Sequence, residues 1–205
     1  LARKLSILIC SLNSRKEKRK NLLQLLKNSI GEYTPELKLL PNCTIEKFIG
    51  EQAEIIICTD DKQMSVGAKR NMLIKEATGE YTSFIDDDDM VNVEYVQSIL
   101  NMTLFNSDVI VFKAVRYENS FFDREVLYGT EFRKDYQTRK YYFRLPNHLM
   151  AIKRSITSAV LFPEISFGED SEWARKIFPY LKTQSKINEV LYEYWFDKKT
   201  TETQK

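Results

Sequence analysis

Residues 54–89 read EIIICTDDKQMSVGAKRNMLIKEATGEYTSFIDDDD. The first apolar run, 54–58, ends in Thr59, Asp60 and Asp61, the pattern of a buried strand that runs into a polar loop. The spacing predicts a helix over 66–78, closed by Gly79. A second apolar run, 81–85 (YTSFI), then ends in four consecutive aspartates. Strand, helix and strand in this order build a parallel pair joined by a right-handed crossover.

The same alternation extends outward. Upstream, 4–10 (KLSILIC) reads as a strand bounded by Ser11, Asn13 and Ser14. Over 15–30, Leu22, Leu26 and Ile30 recur every four residues and Gly31 stops the pattern, which predicts a helix. Its basic start, 15–20, is expected to be a solvated helix face. A loop carrying Pro35 and Pro41 leads to residue 54. Downstream follow a helix over 91–105 and a strand over 108–112 (DVIVF). Strands over 125–129, 149–153 and 187–196 and a helix over 169–181 suggest an antiparallel or mixed extension of the sheet. The stretch 130–145 (TEFRKDYQTRKYYFRL) is expected to be a partly exposed helix covering the sheet, with an acceptor-side binding surface as the alternative. The fold class is α/β, a mixed and mainly parallel sheet flanked by helices.

The length of 205 residues suffices for one domain with its own core. With 43% hydrophobic residues and 31 Lys+Arg against 29 Asp+Glu, the chain is neither disordered nor a polycation. Its longest apolar runs, such as 5–10, are far short of the roughly 18–20 residues of a membrane span. Cys10, Cys43 and Cys58 lack metal-type spacing, and two of them lie in apolar strands, where cysteine packs as a small hydrophobe. A reducing compartment is therefore expected. The first residue is Leu1 and no charged-apolar-small leader pattern follows, so a cytoplasmic location is expected, a viral protein acting in its host's cytoplasm included.

In open α/β sheets ligands bind beyond the carboxyl ends of the strands. Three such ends carry polar clusters here: 11–13, 59–61 and 86–89. Asp caps helix N-termini, which accounts for one or two of Asp86, Asp87, Asp88 and Asp89. Four adjacent carboxylates repel unless a cation sits among them, and a divalent ion sharing one or two of them with water and a phosphate-bearing substrate satisfies that geometry. Lys69 and Arg70 fall in the first turn of the 66–78 helix, where cations oppose the helix dipole, so an anion is expected to offset them. Ser65, Gly67 and the free N–H groups of that turn are the expected anion site, with Gly67 allowing close approach of a diphosphate. In FGED, 167–170, Glu169 and Asp170 are either helix-start acids or hold a general base. The lone His148 reads as a packed residue, and a single histidine leaves zinc and Ser-His-Asp chemistry without their parts. Neither a P-loop nor GxGxxG occurs.

Residues 5–15 (LSILICSLNSR), 66–91 (VGAKRNMLIKEATGEYTSFIDDDDMV), 168–175 (GEDSEWAR) and 190–196 (VLYEYWF) resemble, in order, the opening strand, the nucleotide-contacting helix with the Asp-x-Asp motif, the GED motif and the terminal LYxYR strand of family 2 inverting glycosyltransferases with the GT-A fold. Cys10 stands where the family usually has Pro, and Leu12 where it has Tyr. The resemblance implies a single GT-A-like domain over 1–205, with a nucleotide-sugar-binding half (1–118) and an acceptor-side half (119–205). It implies that Asp86 and Asp88 hold the ribose and a Mn2+ or Mg2+ ion, with Asp88 the stronger metal ligand and Asp87 at the variable position. Ser11 and either Asp60 or Asp61 would contact the base, beside Asn13. Gly67, Lys69 and Arg70 would approach the nucleotide and its phosphates, and Asp170 would be the catalytic base, supported by Glu169.

The activity implied is metal-dependent transfer of a sugar from a nucleotide sugar, UDP-linked, to a hydroxyl with inversion. The acceptor is a saccharide by default, with a hydroxylated base in viral DNA as the alternative. A nucleotidyltransferase would also present carboxylates, metal and nucleotide on an α/β sheet, but would release pyrophosphate. An inactive sugar- or polyanion-binding module would tolerate loss of Asp88 and Asp170.

Overall fold

An apolar run without alternation has no face to give to solvent, and the opening run is accordingly buried along nearly its whole length as β1 (Leu5–Leu12). The computed structural model describes residues 3–196. It continues with α1 (Lys20–Ile30), β2 (Thr34–Leu39), β3 (Thr44–Ile49), β4 (Ala53–Asp60), α2 (Val66–Glu76) and β5 (Tyr81–Phe84). The second half comprises β6 (Met90–Val91), α3 (Tyr95–Met102), β7 (Val109–Glu118), β8 (Phe121–Tyr128), β9 (Tyr136–Gln137) and β10 (Tyr141–Arg144), then β11 (Ala151–Lys153), α4 (Arg154–Thr157), α5 (Glu169–Ile177) and β12 (Gln184–Phe196).

The strands form one mixed sheet in the order β2-β3-β4-β1-β5-β11-β7-β8-β10-β9, with β12 parallel to β7. Its centre is parallel: β1 pairs with β4 from Leu5↔Ala53 to Leu12↔Asp60, and with β5 from Leu5↔Tyr81 to Leu8↔Phe84. This register brings the polar ends of β1 and β4 level, and the four aspartates follow β5 on the same edge. Strand β11 runs antiparallel to both β5 and β7 and so joins the parallel centre to the second half. Leu22 and Leu26 of α1 and Leu73 and Ile74 of α2 are buried with Ile7, Ile9, Ile55 and Ile57 in the core. The boundary expected at 118/119 falls on the β7–β8 turn, where Asn119 and Ser120 take positive φ, within this continuous sheet. Among the described residues no helix is long and apolar enough to cross a membrane.

Five expectations need correction. The helix expected from residue 15 starts at Lys20, because a 3-10 turn, Asn13–Arg15, intervenes. The basic stretch is not simply a solvated face, since Arg19 is 2% exposed and donates to Ser11 Oγ and Glu46. The Pro35–Pro41 loop is a hairpin, β2–β3, and Pro35 is tolerated because β2 is the sheet's edge strand with every side chain exposed. The stretch 130–145 is no helix: β10 runs parallel to β8, β9 antiparallel to β10, and Tyr136 stacks on Phe143 with ring centroids 4.4 Å apart. Aromatic side chains favour this pleated surface over a helix. Finally, the helix expected over 91–105 is shortened by β6, which pairs with β12.

Candidate active site

A cleft of about 540 Å3 opens at the carboxyl edge of β1 and β5, between the start of α2, the start of α5 and the strands of the second half. Its position follows from the register above, in which diverging loops leave room beyond the strand ends.

The four aspartates have separate surroundings. Asp87 is buried and accepts hydrogen bonds from Ser11 Oγ and Arg15 Nη1, both at 2.7 Å. Asp89 is also buried and accepts from Tyr192 Oη at 2.6 Å and the Trp195 N–H at 2.8 Å, which fastens β12 to the end of β5. Burial, and then the charges of Asp86 and Asp88, push its carboxyl well above the usual range. Asp86 and Asp88 are partly exposed, 34% and 18%, and both line the cleft. Burial disfavours ionised Asp86, but His148, Arg70 and Arg15 outweigh it and hold its carboxyl well below the usual range. Burial and the neighbouring charge of Asp86 raise Asp88, against the pull of Arg15, whose Nη1 lies 3.2 Å away.

The start of α2 differs from the expected anion site. Ser65 Oγ accepts the Ala68 N–H at 3.2 Å, Ile165 O accepts the Gly67 N–H at 3.0 Å and Ser166 Oγ the Val66 N–H at 3.4 Å. These N–H groups therefore have partners within the chain. Gly67 does permit a close approach, but of the loop before α5: a Cβ there would collide with the Pro163 carbonyl oxygen. Lys69 is buried, with Nζ 2.7 Å from Asp60 Oδ1 and 3.2 Å from Ser11 O. The charge that offsets Lys69 against the helix dipole is thus Asp60. Asp60 also accepts the Met64 N–H, so its carboxylate is engaged on both oxygens. Asp61 is exposed and accepts from Asn13 Nδ2 at 2.8 Å. Asn13, Asp60, Asp61 and Gly67 do not line the cleft, whereas Ser11, Lys69, Arg70, Asp86, Asp87, Asp88, Glu169 and Asp170 do.

Arg70 is the unusual side chain. It is buried between Phe84 and Phe162, and Nη2 reaches Asp86 at 3.3 Å and Glu169 at 3.4 Å, while Nε and Nη1 have no partner. Burial disfavours its charge, but Asp86 and Glu169 are among the groups that more than compensate and raise its pKa. Gly168, at φ 78°, makes the left-handed turn into α5. The next two residues then face differently: Glu169 is buried against Arg70, and Asp170, half-buried, lines the cleft while accepting the Ser171 N–H at 2.7 Å.

Three residues in or beside this site carried no assignment from sequence. Arg15 and Arg19 lie in a basic run whose partners, Asp87, Asp88, Ser11 and Glu46, sit on other elements, so no local pattern marks them. His148 is buried with neither ring nitrogen hydrogen-bonded, its Nε2 3.6 Å from Asp86, and its being the chain's only histidine was the one available signal. Among the described residues no three Asp, Glu, His or Cys side chains form a self-sufficient metal cage. Two accessible carboxylates, Asp86 and Asp88, nonetheless fit a Mg2+ or Mn2+ ion that keeps waters and substrate phosphates as its other ligands. All three cysteines are free, and burial pushes the Cys10 thiol in the cleft floor up to about 12, so it stays neutral.

A parallel β4-β1-β5 centre, acids beyond β5 and a mixed extension that closes the cleft are the architecture of the GT-A-like fold. The solved structures agree on the fold. TarS 1-349 from S. aureus in complex with UDP superposes with a TM-score of 0.64 at 15% identity, over 94% of this chain and 60% of that one. Its complex with UDP-GlcNAc gives 0.65 at 16% over 98% and 60%. The chain thus spans about 60% of the length of these structures. Residues 42–176, more than half of the chain, match the model of Glycosyl transferase family 2, and the protein belongs to that family. No curated protein matches the chain.

Proposed function

We propose that the chain transfers a sugar from a nucleoside diphosphate sugar, with UDP as the nucleotide, to an acceptor hydroxyl, inverting the anomeric carbon. Family membership and the UDP and UDP-GlcNAc complexes of TarS support this reading. The observation that carries it is Arg70: a buried guanidinium at the cleft with two nitrogens unpartnered is complementary to a diphosphate.

The reaction is a single displacement. The acceptor oxygen attacks the anomeric carbon, the bond from that carbon to the diphosphate oxygen breaks, and nucleoside diphosphate departs with the bonding pair. Asp170 takes the acceptor's proton, a role for which it needs a carboxylate not committed to a cation. Glu169 holds Arg70 in place, and Arg70 offsets the charge that develops on the leaving group. A Mn2+ or Mg2+ ion held by Asp88 and Asp86 would supply further charge neutralisation at the diphosphate. Asp87 and Asp89 position the loop, through Ser11 and Arg15 and through Tyr192 and Trp195. Ser11, at the end of β1, is the base-side candidate in the cleft lining, with the exposed Asp61 outside that lining.

A screen of UDP-sugars for cation-dependent hydrolysis tests the reading without an acceptor. Release of UDP and free sugar from at least one donor is expected, with UDP affinity strengthened by Mn2+ in the wild type but not in Asp88→Asn. Absence of UDP binding and of hydrolysis across the panel would overturn the donor reading. Equal UDP affinity in all four combinations would overturn the cation assignment alone.

A further inference from the structure

The half of the cleft built by β7, β8, β10 and β12 differs in charge from the half that holds Asp86 and Asp88. These strands contribute Arg116, Tyr128, Tyr142, Arg144 and Trp195 to the lining, and none of their lining residues is acidic. The carboxylates of the lining, Asp86, Asp87, Asp88, Glu169 and Asp170, all follow β5 or begin α5.

The arginines of this wall are not equivalent. Arg116 and Arg124 share Asp123, Arg116 also reaches Glu118 at 2.8 Å, and Tyr142 Oη donates to Asp123 at 3.1 Å. Their charges are therefore balanced by carboxylates of the same wall. Arg144 is held by neutral groups, with Nη1 donating to the carbonyl oxygens of Tyr136 at 3.1 Å and Phe143 at 3.0 Å. Its one carboxylate partner among the described residues, Asp135, stands at 4.0 Å, is half-exposed, and accepts the Leu145 N–H. Arg144 packs 4.7 Å from the Tyr142 ring centroid and keeps 30% of its side chain exposed, so its charge is offered to the cleft. Aromatic surface lines the same cleft. Trp195 stacks on Tyr117 at 4.4 Å and lines the cleft, and Phe167, 67% exposed, lines it three residues before Asp170.

We infer that this wall is the acceptor subsite and that it takes a saccharide bearing an anionic group, a phosphate or a carboxylate, with Arg144 holding the anion and Trp195 and Phe167 receiving the apolar faces of the sugar. The inference rests on the glycosyl-transfer reading and names the acceptor class for it. A partly exposed guanidinium not neutralised by a close carboxylate suits both anions, and amphipathic aromatic rings suit a ring with one apolar face.

The test is calorimetry on the full chain with the donor site saturated by UDP and Mn2+, titrating glucose, glucose 6-phosphate, glucuronic acid and inorganic phosphate. At least one charged sugar is expected to bind tenfold or more tighter than both glucose and inorganic phosphate, and the panel tells phosphate from carboxylate. Arg144→Gln should abolish this preference and Arg144→Lys should retain part of it, with UDP affinity unchanged in both. The wild-type comparison needs no variant, so it stands even where Arg144→Gln fails to fold. Glucose binding as well as both charged sugars, inorganic phosphate matching them, or an unaltered preference in a folded Arg144→Gln would overturn the inference. A single-stranded DNA oligonucleotide that binds and loses affinity in Arg144→Gln, with no sugar preference, would overturn it in favour of nucleic acid. Normal UDP binding in any of these cases leaves the donor reading standing, whereas no UDP binding removes both.

Discussion

Replacing Arg70 by Gln separates a ligand-binding role from a structural one, because the two roles move different observables. The substitution removes the guanidinium that lies 3.3 Å from Asp86 and 3.4 Å from Glu169. Breaking a buried pair costs about 3–5 kcal/mol when both partners are fully desolvated. Asp86 is 34% exposed and keeps partial hydration, so a loss of about 2–3 kcal/mol is expected, which is roughly 4–12 °C in Tm at ~2–4 °C per kcal/mol for a chain of this size. A structural role predicts that loss alone. A phosphate contact through the unpartnered Nε and Nη1 predicts in addition a loss of about 1–3 kcal/mol in UDP affinity, or roughly 5- to 150-fold in Kd. The assay pairs thermal melting with UDP calorimetry in Mn2+, at a temperature where the variant is folded. Lys69→Met is the control, since its ammonium is already held by Asp60 and Ser11. It should lower Tm by at least as much and leave UDP affinity within a few-fold. A folded Arg70→Gln that binds UDP within twofold of the wild type would refute the reasoning.

Gly67→Ala should destabilise the protein by about 3 kcal/mol, seen in urea unfolding, because the new methyl meets the Pro163 carbonyl and the loop must withdraw. The loop leads into Glu169 and Asp170, so transfer should fall in the same variant even below its melting point. Glu76 is held below its usual range by hydrogen bonds from Lys38 and Lys47, at 2.6 Å and 2.8 Å, which outweigh burial. A folded-state pKa below the unfolded value of 4.5 means its stabilisation is present above about pH 4.5 and is lost as pH falls through the folded value. Glu76→Gln should therefore cost on the order of 1 kcal/mol at pH 7 and converge with the wild type once the pH falls below the folded-state value, in denaturant titrations.

The parts of the fold that the sequence made legible are those whose signal is local. Strands β1, β4 and β5 are continuous apolar runs, α2 is followed by Gly79, and the aspartates mark where β5 ends. The β2–β3 hairpin stayed hidden because β2 is exposed on both faces and so has no alternation, and because Pro35 reads as a loop unless the strand is known to be at an edge. Strands β9 and β10 were masked by their mixture of Arg, Lys and Tyr, whose pairing with β8 is a tertiary fact. In the site, Asp86, Asp88, Arg70, Glu169 and Asp170 line one cleft. What the motifs lacked was the disposition of charge. Lys69 turns to Asp60, Arg15 to Asp87 and Asp88, and Arg19 to Ser11, and each pair joins separate elements, so a run such as RKEKRK gives no sign of which members face inward.

Removal of the acceptor's proton by Asp170 is tested most directly by the transfer rate of Asp170→Asn, measured beside UDP affinity and Tm with an acceptor taken from the charged-sugar panel. The amide fills the same volume and can keep the Ser171 contact but cannot take the proton, so the rate should fall by roughly a hundred- to ten-thousandfold while UDP affinity and Tm stay near wild type. Near-normal transfer by Asp170→Asn, or an equal loss of donor affinity and rate, would contradict the claim.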